Sequence, residues 1–377
     1  MSITPSTPDS THCGVSTSAT FRGGAPSVLA LSAFIVSILP LGSPSWQAEH
    51  PVLCISASRG SAMTIALTSP SPHPPSPLAE LTPSAAYAQQ ASFLPEEVHS
   101  GVSPQRRLGR ALNLLAWVSP DLATRLLWRL WFTPPRTRPN ERARTLLATV
   151  EHRFEVYSGE HGALVHGWGQ GPAVLLAHGW GAYGAQLGSF VPVLQSAGYR
   201  VLLLDAPGHG GQAPRPYRID QYAQLLHDVV LHAGGVHAVI GHSLGATATA
   251  MALHQLDSPA SYVGIAPTAN LKSVLRAFQL RMGLSPELLV RLETAFADAF
   301  GPSWWRDYSL DHHLPRLRGR ALLVHDRDDA EASPENSHHL ARLRPGTTLH
   351  WSEGLGHNRV LHDRDVVQAV VDFIARP

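Results

Sequence analysis

The chain has 377 residues, 44% of them hydrophobic, and its 29 basic and 28 acidic side chains leave a net charge of +1. That length allows two or three domains of about 100–200 residues, or one larger domain with extensions, and the balance excludes a globally basic nucleic-acid binder or a strongly acidic tail protein. Two cysteines, Cys13 and Cys54, cannot build a disulfide framework, and thiol catalysis and Cys-rich zinc sites are excluded beyond position 54.

The first hundred residues are rich in Ser and Pro and poor in charge. Alternating prolines at 70, 72, 74, 75 and 77 remove backbone donors and bias the chain toward extended linker. Residues 1–100 are therefore expected to be a disordered N-terminal region. Its one apolar run, residues 27–39, has the length of a signal-peptide core and is short of a bilayer span. A cytoplasmic location is expected, with export or membrane association as the alternative if that run acts as a signal or anchor. Met63 is a second candidate start, because no structural pattern precedes it.

Residues 101–150 carry nine arginines against Asp121 and Glu141. Leu108, Leu112 and Leu115, then Leu122, Leu126, Leu127, Leu130 and Trp131, recur at helical spacing. Two helices broken at Ser119-Pro120 are expected, forming a basic helical arm. The leucine stripe suits packing on the main domain with the Arg heads in water. Trp117, Trp128 and Trp131 with Arg125 and Arg129 give the alternative, a weak membrane-surface contact through residues 101–132.

From residue 152 short apolar runs alternate with helical stretches. Strands are expected at 153–157, 163–167, 173–177, 200–204, 237–241, 262–265, 321–324 and 347–351. Helices are expected at 186–196, 219–232, 246–254, 334–343 and 365–375. This alternation implies an α/β fold with a mostly parallel sheet covered by helices on both faces. In such sheets chemistry gathers at the carboxyl ends of the strands.

Gly241-His242-Ser243-Leu244-Gly245 follows one of these strands and precedes a small-residue helix. That is the setting of a nucleophile elbow, a sharp turn that exposes a serine hydroxyl. Serine is a poor nucleophile alone and needs a base, and the base needs an orienting acid. Among 22 histidines, His357 stands out because Gly354-Leu355-Gly356-His357 directly follows the last strand. Asp326, Asp328 and Asp329 follow the strand before it, and each is a candidate acid.

On these motifs residues 152–377 resemble the α/β-hydrolase-fold serine hydrolases. The His178-Gly179 loop, the loop at 205–210, the Ser243 elbow, the Asp cluster and the Gly-His loop stand in that family's order. The resemblance implies Ser243 as nucleophile, His357 as base and Asp329 as acid. The family commonly has Gly where this chain has Asp326, which keeps Asp326 and Asp328 as alternatives. It also implies an oxyanion hole from the backbone N–H groups of Leu244 and Trp180. His178 and His209 are expected to brace their loops, and His242 to pack inside the elbow.

Residues 267–316 interrupt the alternation and are expected to form a small helical cap. Ser285, Pro286 and Glu287 read as a helix start and Gly301 as its stop. Phe278, Met282, Phe296, Phe300, Trp304 and Trp305 offer an apolar wall. The expected activity is hydrolysis of a carboxylic ester or thioester of a small, largely apolar molecule, a carboxylesterase-type reaction without a cofactor. Acyl transfer, lactone or carbon–carbon bond hydrolysis by the same residues, or a non-catalytic ligand-binding homologue, are the alternatives. No metal is expected: His312-His313 and His338-His339 lack zinc spacing, and the Asp cluster lacks a calcium-loop pattern. No phosphate-binding glycine loop supports a nucleotide or nucleic-acid partner.

Overall fold

The computed structural model describes residues 103–376. The expectations for residues 1–100, including the apolar run at 27–39 and the start at Met63, lie outside the described residues.

Three helices lead: α1 (Pro104–Val118), α2 (Pro120–Phe132) and α3 (Glu141–Ala148). The hairpin β1 (His152–Ser158) and β2 (His161–Trp168) follows, then β3 (Ala173–Ala177), α4 (Phe190–Ser196), β4 (Arg200–Leu204), α5 (Ile219–His232), β5 (Ala238–His242), α6 (Leu244–Gln255) and β6 (Ser261–Ile265). The cap consists of α7 (Leu271–Met282), α8 (Pro286–Phe300), α9 (Trp304–Asp307) and α10 (Leu310–His313). The chain closes with β7 (Ala321–Asp326), α11 (Glu335–Leu343), β8 (Thr348–Ser352), α12 (Gly356–Arg359) and α13 (Arg364–Ala375).

The eight strands lie in the order β1-β2-β4-β3-β5-β6-β7-β8. The β1–β2 and β2–β4 pairs are antiparallel, and every pair from β4 to β8 is parallel. Every residue of β3, β5, β6 and β7 is buried, as continuous apolar runs between two helical layers require. One core packs the sheet against α5 and α6, the other against α4 and α13.

A third core joins the N-terminal arm to the cap. Leu112, Ala123, Leu127 and Phe132 cluster with Leu275, Leu288, Leu292, Phe296 and Trp304. Trp128 stacks on Phe300 and Trp131 meets Phe278 edge-on. Gly109 is the point of closest approach, because a Cβ there would lie 1.9 Å from the Met282 carbonyl oxygen. Asn113 clips the α7–α8 turn from both sides: it donates to the Gly283 carbonyl and accepts from the Ser285 N–H, each at 2.9 Å. The sequence leads one to expect an arm resting on the main domain. In the structure its apolar stripe packs chiefly on the cap, because the cap presents the complementary aromatic surface.

Two local differences have simple causes. The helix expected over 186–196 is a 3-10 turn (Gly184–Leu187) followed by the shorter α4, with the break at Gly188. Helix α3 has a start signal, the Asn140 side chain accepting from the Ala143 N–H, but its eight residues are too few for a clear periodicity.

Candidate active site

The elbow sits where β5 runs into α6. Ser243 takes φ 52° and ψ −119°, a strained conformation for a residue with a side chain. Its N–H donates to the Ile265 carbonyl at 2.9 Å, which ties the turn to β6. A Cβ at Gly245 would lie 2.4 Å from the Ala177 carbonyl oxygen, so only glycine lets α6 start this close to the end of β3.

His357 lies on α12, just after β8. Its Nδ1 is 2.8 Å from Asp329 Oδ2. Asp329 also accepts from the N–H groups of Glu331 and Ala332 at 2.8 and 2.9 Å. Burial pushes its carboxyl up, but hydrogen bonds from His325, His357 and Ala332 outweigh that and hold it well below the usual carboxylate range. An ionised Asp329 can only accept, so the proton lies on His357 Nδ1 and leaves Nε2 as an acceptor. Ser243 and His357 line one cavity of about 730 Å³, together with Leu244 and Trp180. The residues expected as nucleophile, base, acid and oxyanion donors therefore meet at one place.

The other two acids of the cluster hold the histidine loop. Asp326 Oδ1 accepts from the N–H groups of Asp328 and Gly356 at 3.0 and 2.8 Å. Its Oδ2 accepts from the Ser352 hydroxyl and the Leu355 N–H at 2.7 and 3.1 Å. Burial raises its carboxyl, and these four donors outweigh it, leaving it below the ordinary value. Asp328 accepts from the Gly354 N–H at 2.7 Å. Neither takes the place of Asp329 beside His357 Nδ1.

His242 does more than fill space in the elbow. Its Nε2–H donates to the His357 carbonyl at 3.0 Å, and burial first, then the neighbouring His357, lowers it to about 3, so it stays neutral. His178 Nε2 accepts from the Ala206 N–H while its Nδ1–H donates to the Gly179 carbonyl, so it braces the loops after β3 and β4. His209 Nδ1–H donates to the Pro207 carbonyl at 3.1 Å, and its ring packs against His178 and edge-on to Trp180 of the loop after β3.

One supporting residue escapes the sequence reading. His325 is fully buried; its Nε2–H donates to the Ala332 carbonyl at 2.9 Å and lies 3.5 Å from Asp329 Oδ2, while its Nδ1 accepts from the Ser337 hydroxyl at 2.7 Å. It backs the same carboxylate oxygen, Oδ2, that His357 Nδ1 contacts. Its only sequence signal is its place at the end of β7, four residues before Asp329.

The cavity's far wall is aromatic. Trp131 and Phe132 of the arm and Phe278, Phe296, Phe300 and Trp304 of the cap line it. Trp305 does not; it receives the Lys272 ammonium over its ring at 4.9 Å. Among the described residues no cluster of His, Cys, Asp and Glu has the arrangement of a metal site, and no helix is long and apolar enough to cross a membrane.

A family comparison agrees with this architecture. Residues 172–288 match the family model for the alpha/beta hydrolase fold. No curated protein matches the chain in sequence. Similar solved structures include a serine hydrolase from the polyaromatic hydrocarbon-degrading bacterium Cycloclasticus zankles, at 18% identity and a TM-score of 0.46, over 59% of this chain and 97% of that one. A monoacylglycerol lipase from Paleococcus ferrophilus is similar at 18% identity and 0.45, over 59% and 98%. A meta-cleavage product hydrolase from Pseudomonas fluorescens is similar at 19% identity and 0.43, over 58% and 96%. The family match spans β3 to the start of α8 and includes the Ser243 elbow; with the sheet order, it identifies the fold of the described residues as the α/β-hydrolase fold.

Proposed function

We propose that the protein is a serine hydrolase that cleaves carboxylic esters of largely apolar molecules through an acyl-enzyme. The observation that carries this reading is the 2.8 Å contact of His357 Nδ1 with a buried, ionised Asp329, in the cavity that Ser243 lines.

Ser243 Oγ attacks the ester carbonyl carbon as His357 Nε2 takes its proton. Asp329 stabilises the imidazolium through the Nδ1–H bond. The N–H groups of Leu244 and Trp180 stabilise the oxyanion. His357 then gives its proton to the departing alcohol oxygen, leaving Ser243 acylated. Water, deprotonated by His357, attacks the acyl carbon; the carboxylic acid leaves and Ser243 regains its proton. Each proton is carried by His357, so the cycle needs no added acceptor. The aromatic wall supports an apolar acyl or alcohol group, since a cavity of this lining desolvates such a group without stranding polar atoms.

Labelling by a fluorophosphonate tests the nucleophile. The native chain should be labelled at Ser243 and the Ser243→Ala chain left unlabelled. A native chain that takes no label would point to a ligand-binding homologue instead.

A further inference from the structure

Helix α1 has two unlike faces. Gly109 and Leu112 face the cap, whereas Arg107, Arg110, Leu114, Trp117 and Val118 face outward. Positions 107, 110, 114 and 117 form one stripe at helical spacing. Leu114 is 71% exposed, Trp117 88% and Val118 76%. The latter two stand at the corner where α1 turns into α2. Arg125 and Arg129 on α2 are exposed as well. Residues 104–132 hold five arginines and one acid, Asp121, which is paired with Arg291 at 3.4 Å. Of the arm's three tryptophans, Trp128 and Trp131 are used in packing against the cap, and Trp117 is not.

We infer that this corner docks on an anionic lipid surface. Leu114, Trp117 and Val118 enter the boundary between headgroups and acyl chains, and Arg107, Arg110, Arg125 and Arg129 meet the headgroup charges. A protein partner fits less well. Three apolar side chains fall far short of the roughly 800 Å² per partner that a stable protein interface buries. A few exposed apolar side chains ringed by arginines are enough for reversible attachment to an anionic bilayer.

Docking has a consequence for the substrate, and that consequence rests on the hydrolase reading. Gln105 and Leu108 of α1 and Leu130 and Trp131 of α2 line the cavity that holds Ser243. Leu108 is also 42% exposed, so the cavity reaches the surface beside α1. An enzyme attached by this corner is held beside the bilayer, where largely apolar esters are concentrated.

The test is cosedimentation of the full-length chain with vesicles of phosphatidylglycerol and phosphatidylcholine, against vesicles of phosphatidylcholine alone. Binding should require the anionic lipid and weaken as salt rises. Leu114→Glu with Trp117→Glu should weaken it by about tenfold or more, as should Arg107→Gln with Arg110→Gln. All these side chains are exposed, so the thermal midpoint should stay within about 2 °C of the parent. Ser243→Ala should bind as the parent does, which separates docking from catalysis. Unchanged binding in the paired variants, or no preference of the parent for anionic vesicles, would overturn the proposal. So would a dimer of the parent that the Trp117→Glu change dissociates without altering vesicle binding.

Discussion

The Asp326 carboxylate accepts the backbone N–H of Gly356 at 2.8 Å, one residue before His357. The same carboxylate holds Leu355 and Ser352, so the histidine loop hangs from the end of β7. An amide at this position keeps one acceptor and turns an NH2 group toward backbone donors. Asp326→Asn is expected to lower kcat by about tenfold to a hundredfold with little change in KM, as small misplacements of a base do. Loss of charged hydrogen bonds should also cost about 2–3 kcal/mol in urea unfolding. Steady-state kinetics and unfolding curves on one preparation check both.

Asp329 Oδ2 contacts one ring nitrogen of His357, Nδ1. Asp329→Asn presents an amide to His357 Nδ1 and favours the tautomer with the proton on Nε2, where a base is needed. Ester turnover should fall by about 10³-fold or more in kcat. Asp328, whose carboxylate caps Gly354 at the exposed end of the loop, should lose less than tenfold on change to Asn. A comparison of the two variants on one ester separates the orienting acid from its neighbours.

Acid should unfold this protein early. Burial lowers His178, His209 and His313 each to about 4 and His242 to about 3. These groups stay neutral in the fold while the unfolded chain takes up protons near pH 6.5. Their stability contribution is complete above pH 6.5 and is lost as pH falls toward 4. Asp329 and Asp326, both depressed, add a second loss that begins below about pH 4. Urea midpoints measured from pH 7.5 to 4 should fall steadily, and His178→Asn should flatten the slope by close to one proton.

The aromatic wall links stability to substrate choice. Phe296 is almost fully buried and meets the rings of Trp128, Trp131, Phe132, Phe300 and Trp304. Phe296→Ala should cost about 3–5 kcal/mol. The milder Phe296→Leu should fold and raise KM more for long-chain than for short-chain p-nitrophenyl esters. A chain-length series on both proteins would show it.

Much of this was readable in the sequence because the central strands, β3 to β7, are apolar runs buried on both faces, and the candidate chemistry is placed immediately after a strand. Ser243 and His357 follow directly from those positions. Asp329 needed the resemblance, because three acids share its turn and only their hydrogen bonds distinguish them. The work of Asp326, His242 and His325 is set by contacts across β7, β5 and the histidine loop, which local pattern does not encode. The union of arm and cap was hidden for the same reason: an apolar stripe declares that it is buried, and complementary surface decides against what.

The central claim is that Ser243 is the nucleophile. The most direct measurement is kcat/KM of Ser243→Ala on the best p-nitrophenyl ester of the series, with folding checked by circular dichroism. The expected result is a folded protein with activity reduced by about 10³-fold or more. A folded Ser243→Ala chain with near-native activity would contradict the account.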